Sequence, residues 1–290
     1  MKSIFCFFQL TINVSSQKDI NSLNKVDSNS FDSSIWSFIK TYKDTFDIND
    51  PINLLNIGYY DVYMGNNQRG NTIMSLGLKY MNNPNADIYH MLSVQNTKNG
   101  NYSLAIKHLE YACKLDEKIY GYYGWTSLYY YRDYEKSIMQ LKLFDSLTPN
   151  FVDFPMGENI YFLIGLAYLQ LNKVNDAIVY FESYIDNEKK EKMLDFIDNS
   201  VYYYLGICYE KLSKIKKANL EYKRALKNNL FFLEVKFRKA LLIKNKRKKK
   251  KQLNEVDVLI QQGYSKIDSY VEIFQPVYHQ MVINEINKIK

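Results

Sequence analysis

Turn-forming residues are scarce in this chain, with 5 prolines and 11 glycines among 290 residues. Folds rich in β-strands need turn chemistry at short intervals, so the shortage argues against them. Cysteine is nearly absent too, at 3 residues, of which Cys6 stands close to the start. Cys113 and Cys208 are far apart in separate helical segments, which argues against a disulfide and gives each the reading of a small hydrophobe. Histidine is equally sparse: His90, His108 and His279. Asp87 is the only obvious third ligand near His90 and His108, and no HExxH, CxxC or paired-cysteine array occurs, so no metal site is assigned. There is no GxSxG, no Walker loop and no dinucleotide fingerprint, and Gly121 and Gly124 match no phosphate-cradling spacing. The sequence therefore assigns no catalytic residue and no cofactor, and an enzyme is not expected. Long apolar runs are missing as well. The stretch Ile4–Val14 is too short to span a bilayer, so the mature chain is read without a transmembrane segment.

The formal charge is +7. Lys244, Lys246, Arg247, Lys248, Lys249, Lys250 and Lys251 supply seven positives by themselves, which leaves no net charge on the rest. One segment is basic, then, and the protein is not. Lys246, Arg247, Lys248, Lys249 and Lys250 are candidates for contact with an anionic surface. Nucleic-acid binding fits less well, because it spreads basic residues over a face and interleaves aromatics, and the run itself does neither. The plain alternative is a solvated helix end or loop.

Aromatic residues are plentiful, with 27 tyrosines and 16 phenylalanines, and their order repeats. Tyr161, Ile164, Gly165, Tyr168, Ala177 and Phe181 recur 41 residues later as Tyr202, Leu205, Gly206, Tyr209, Ala218 and Tyr222. The first four positions of each set share one face of a helix. The alanine falls twelve residues after the glycine, on a second helix. Antiparallel helices approach closely only where the crossing residues are small, which gives glycine and alanine a mechanical reason. One such pair cannot bury its apolar face alone, so helix–turn–helix units come in arrays.

This spacing resembles the tetratricopeptide repeat. Upstream, Tyr89, Leu92, Gly100, Tyr102, Ala105, Leu109 and Ala112 fit the same frame, with Ser93 in place of the glycine and Asn96 in place of the second aromatic. A degenerate unit lies between, with Tyr120, Gly124, Tyr134, Ser137, Leu141 and Phe144 closed by Pro149, its first helix open in register by one residue. An earlier unit runs from Ile52 through Gly58, Tyr60, Thr72 and Leu76 to Pro84. The small positions Thr72, Ala105, Ser137, Ala177 and Ala218 are 33, 32, 40 and 41 residues apart, against a family period of about 34. Extra residues accordingly sit at Phe151–Glu158 and Asn187–Asp198. The resemblance covers residues 52–230 and implies an all-α fold: a right-handed superhelical solenoid of antiparallel helix pairs, about five units long.

Residues 1–16 run from Lys2 through apolar Ile4–Val14 to Ser16, the order of a cleaved export signal, with an amphipathic first helix as the alternative. Residues 17–51 read as a flexible lead-in and an N-terminal helix capped by Ser33 or Ser34, whose stripe Ile35, Phe38, Ile39, Tyr42 and Phe46 covers the first repeat. Residues 231–290 read as divergent helices carrying the lysine-rich segment, with a last helix from about Tyr270 that Pro276 bends or delays.

In the family, the first helix of each unit lines the inner surface. Carried onto this chain, that places Phe162, Leu166, Leu169, Tyr203 and Ile207 as apolar anchors for a partner, with His90 in an earlier unit. The Lys and Asn of a carboxylate-gripping inner face are absent at the equivalent places. The surface suits an amphipathic or extended apolar peptide, unless the C-terminal helices or a second copy fill it. The resemblance thus implies a non-catalytic protein- or peptide-binding scaffold, periplasmic or secreted if the export signal is used. The alternative is a cytoplasmic adaptor whose lysine run contacts nucleic acid or another anionic surface.

Overall fold

The computed structural model describes residues 32–190, 198–264 and 274–289. The candidate export signal and most of the lead-in lie outside these residues. Among the described residues every regular element is a helix. The chain forms two compact units, Met1–Asp116 and Glu117–Lys290, with the division inside the span read as one array.

The first unit contains α1 (Ser33–Lys40), α2 (Pro51–Tyr63), α3 (Asn67–Tyr80), α4 (Ala86–Lys98) and α5 (Tyr102–Leu115). Asp32, rather than Ser33 or Ser34, caps α1: its carboxylate accepts from the Ser34 backbone N–H at 2.8 Å, where negative charge is favoured by the helix dipole. The helix stops at Lys40, so Tyr42 and Phe46 join Ile35, Phe38 and Ile39 from beyond its end. Together they pack on Leu54, Ile57 and Ile73 of the α2–α3 hairpin. Those two helices meet glycine to glycine. A Cβ on Gly58 would lie 2.6 Å from the Gly70 carbonyl oxygen, and one on Gly70 would lie 2.5 Å from that of Gly58. The small crossing residue of this unit is therefore Gly70, twelve after Gly58, and Thr72, expected in that role, is exposed.

The second unit contains α6 (Tyr120–Thr126), a π-helical turn (Ser127–Tyr131), α7 (Tyr134–Asp145), α8 (Ile160–Gln170), α9 (Val174–Lys190), α10 (Asn199–Lys211), α11 (Ile215–Asn228), α12 (Leu233–Leu241), α13 (Lys246–Gln261) and α14 (His279–Asn287). The π turn resolves the open register. It inserts one residue, so Ser137 follows Gly124 by thirteen positions instead of twelve. Across both units, Gly65, Gly100, Arg132, Asn172 and Ser213 take left-handed φ between 55° and 91° and turn five hairpins. Each follows the small residue of its first helix by seven positions, and Arg132 by eight because of the π turn. Five hairpins thus share one register.

Helices α8 and α10 are apolar nearly all round and are buried accordingly. They form the centre of a core that also takes in α6, α7, α9, α11 and Phe274. The first insertion, Phe151–Glu158, folds onto α6, where the Glu158 carboxylate accepts from Trp125 Nε1 and Tyr129 Oη, each at 2.8 Å. The second extends α9 to Lys190, and residues 191–197 lie outside the described ones. A smaller core of Leu233, Phe237, Leu253, Val256 and Val282 joins α12, α13 and α14. The last helix begins at His279, delayed past Pro276.

Candidate functional site on the inner helices

The repeat resemblance implies that α6, α8 and α10, the first helices of their pairs, are the inner helices of the second unit. Phe162, Leu166, Leu169, Tyr203 and Ile207 all lie on α8 and α10, and none is more than 7 % exposed. Phe162 packs against both the Phe181 and Tyr204 rings, at 6.0 and 5.9 Å, which themselves stack at 6.1 Å. These side chains belong to the same core as Phe274, a residue of the segment before α14.

The Phe274 ring stacks on Tyr129 at 5.7 Å and meets Tyr134 edge-on at 6.2 Å. The Arg132 guanidinium sits 4.8 Å above its centre, a cation over the electron-rich face of an aromatic ring. The π turn has a direct consequence here, because the residue it adds displaces the left-handed turn to Arg132. The main chain of the same segment is held by hydroxyls. Tyr203 donates to the Gln275 carbonyl at 2.9 Å, and Tyr204 to the Phe274 carbonyl at 3.3 Å. Burial pushes both phenols above their ordinary range, so they stay protonated donors. Arg238 of α12 donates to the Gln275 side-chain Oε1 at 2.6 Å and to Glu210 Oε2 at 3.2 Å. Glu210 also accepts from Tyr222 at 2.5 Å. Gln275 itself is left-handed, with φ 58°. For a residue with a side chain this costs roughly 1–2 kcal/mol, so surrounding contacts must hold it there.

His90 lies in the first unit, on α4, and is half-buried. Burial lowers its pKa against the opposing pull of Asp87. His108 is buried 6.0 Å from the Tyr89 ring, and burial together with Lys107 pushes its pKa down to about 4. Cys113 and Cys208 are buried free thiols, each pushed up to about 12 by burial. Among the described residues no three His, Cys, Asp or Glu side chains converge as a metal set.

Lys246, Arg247, Lys248, Lys249 and Lys250 open α13. Asn245 caps that helix, accepting from the Lys248 N–H at 3.0 Å. Four of the five are exposed, and Lys249 is half-buried 3.9 Å from Glu285.

Sequence reasoning did not reach Arg132, Tyr204, Arg238 or Phe274. Tyr204 stands beside Tyr203 in the repeat, and the thirteen-residue spacing from Gly124 to Ser137 marks the turn that ends in Arg132. Phe274 sits outside any periodic pattern.

No protein-family model matches the chain, and no curated protein does. Solved structures do. The C-terminal part of a TPR repeat-containing protein from Cytophaga hutchinsonii superposes with a TM-score of 0.57 at 14% identity, over 78% of this chain and 89% of that one. PilF from Pseudomonas aeruginosa superposes at 0.50 and 17% identity, over 74% and 92%. The fold is therefore that of the tetratricopeptide repeat proteins, an all-α solenoid of helix pairs. That fold is a general platform for protein interaction. Among the described residues no helix is long and apolar enough to cross a membrane.

Proposed function

We propose that the chain is a non-catalytic scaffold of the cell envelope that binds a protein or peptide segment along the inner helices of its second unit. One observation carries this reading: α10 and the π turn after α6 already grip a short piece of polypeptide, Phe274–Gln275, by its carbonyls and by one aromatic side chain. Hydroxyls that reach main-chain carbonyls accept many sequences, and a single ring pocket supplies selectivity. A partner segment with an aromatic residue would take the place of Phe274. Phe162, Leu166, Leu169, Tyr203 and Ile207 form the apolar body beneath it, and His90 marks the equivalent face of the first unit. The order of residues 1–16 supports export, with a mature chain beginning at Gln17.

The test places a photocrosslinking residue at Lys211, exposed on α10, or at Val179, 60 % exposed on α9, in the native host. Fractionation and mass spectrometry then follow. A chain starting at Gln17 in the envelope fraction, crosslinked to one partner from position 211 and not from 179, is the expected result. An intact Met1 in the cytosol would remove the envelope assignment, and equal crosslinking from both positions would remove the inner face.

A further inference from the structure

Between Lys214 and Gln261 the chain carries sixteen Lys and Arg against four acids, Glu221, Glu234, Glu255 and Asp257. The net charge of the whole chain rests on this stretch. Part of it forms a surface of mixed character. Arg247, Lys250, Lys251 and Val258 follow one face of α13, and with Lys236 of α12 and the Phe231 ring they line an open depression of about 650 Å³. Phe231 stacks on Tyr264 at 4.8 Å, and both rings are exposed. Leu230, next to Phe231 in the α11–α12 loop, is 66 % exposed. Glu255 is the one acid at the rim.

The charges are also placed against the local electrostatics. The first turn of α13 contains no acid, and the positive end of the helix dipole disfavours cations there. Lys223 and Lys236 crowd Lys239, whose pKa burial and their repulsion lower. Cations held at such a cost, around protruding apolar side chains, match a surface that offers negative charge and an apolar layer beneath it.

We infer that this face of α12 and α13 docks on an anionic lipid bilayer, with Lys236, Arg247, Lys250 and Lys251 meeting headgroups and Leu230 and Phe231 entering the interface. A nucleic acid fits less well. The Phe231 and Tyr264 rings already stack on each other, and the aliphatic Leu230 and Val258 offer a base nothing to stack on. An acidic peptide seated in the depression would leave Leu230 in water. The inference is independent of what binds the inner helices.

The test is flotation of the full chain with vesicles of phosphatidylcholine alone or mixed equally with phosphatidylglycerol. Binding is expected only to the mixed vesicles and weakens with salt. The double variant Lys250→Glu and Lys251→Glu binds at least about tenfold more weakly. Lys244→Glu with Lys248→Glu changes net charge equally off the lining face and loses less. Phe231→Ser at unchanged charge weakens binding about tenfold, and circular dichroism checks that each exposed-site variant folds. Equal binding to neutral vesicles, no binding to either, or indifference to Phe231→Ser would overturn the inference. Retention of a single-stranded oligonucleotide by a chain that ignores vesicles would replace the bilayer with nucleic acid.

Discussion

At Gly206 a single methyl decides the fit of a hairpin. A Cβ there would lie 2.2 Å from the Tyr222 ring, which is fully buried and has nowhere to go. Alanine normally gains about 1 kcal/mol over glycine inside a helix, but overpacking of this severity costs more. Gly206→Ala is therefore expected to lower stability by about 2 kcal/mol in denaturant unfolding. Seven residues on, the sign reverses. Ser213 holds a φ of 58° in the turn, so Ser213→Gly should raise stability by roughly 0.5–1 kcal/mol, the relieved strain less the greater freedom of the unfolded glycine. If both changes destabilise alike, the shared register of the hairpins is wrong. Gly206, Ala218 and Tyr222 were readable in the sequence because a sister unit repeats them at the same offset. Gly70 was not, because Thr72 is also small and sits two residues away. Only the twelve-residue offset from Gly58 separates the two.

Among the elements, α13 sets stability against binding. Its N-terminal turns hold Lys246, Arg247 and Lys248 with only Asn245 to satisfy the exposed amides. Each cation there is disfavoured by about 0.3–1 kcal/mol. Arg247→Glu should raise the thermal midpoint while weakening attachment to anionic vesicles. Loss of both stability and attachment would instead make Arg247 a structural residue. The sequence marked the lysine run as basic but left it between or at the ends of two helices, since a run of lysines has no apolar period of its own. The π turn was legible only as a one-residue uncertainty. Its effect, carrying Arg132 to the Phe274 ring, depends on a contact across more than a hundred residues that no local pattern encodes.

On the scale of the whole molecule, the second unit presents two separate surfaces. α10 and the π turn hold Phe274 and Gln275 of the chain's own C-terminal region, and the α12–α13 face gathers the positive charge. The repeat period disclosed the first as a class of surface, and charge counting disclosed the second. Whether C-terminal residues cover the inner face was left open by the sequence, because the contacts of Phe274 and Gln275 with Tyr129, Arg132, Tyr134, Tyr203, Tyr204 and Arg238 are tertiary ones that no local pattern encodes. A filled face binds a partner only for the fraction of time the segment is away, which weakens apparent affinity in proportion. The most direct measurement is a calorimetric titration of the full chain, native or carrying Phe274→Ala, with a synthetic peptide of residues 270–280. Circular dichroism establishes that the variant is folded. Saturable binding to Phe274→Ala, at least about tenfold tighter than to the native chain, is the expected outcome. A folded variant that does not bind the peptide, or binds it no better than the native chain does, would contradict a peptide-gripping inner face.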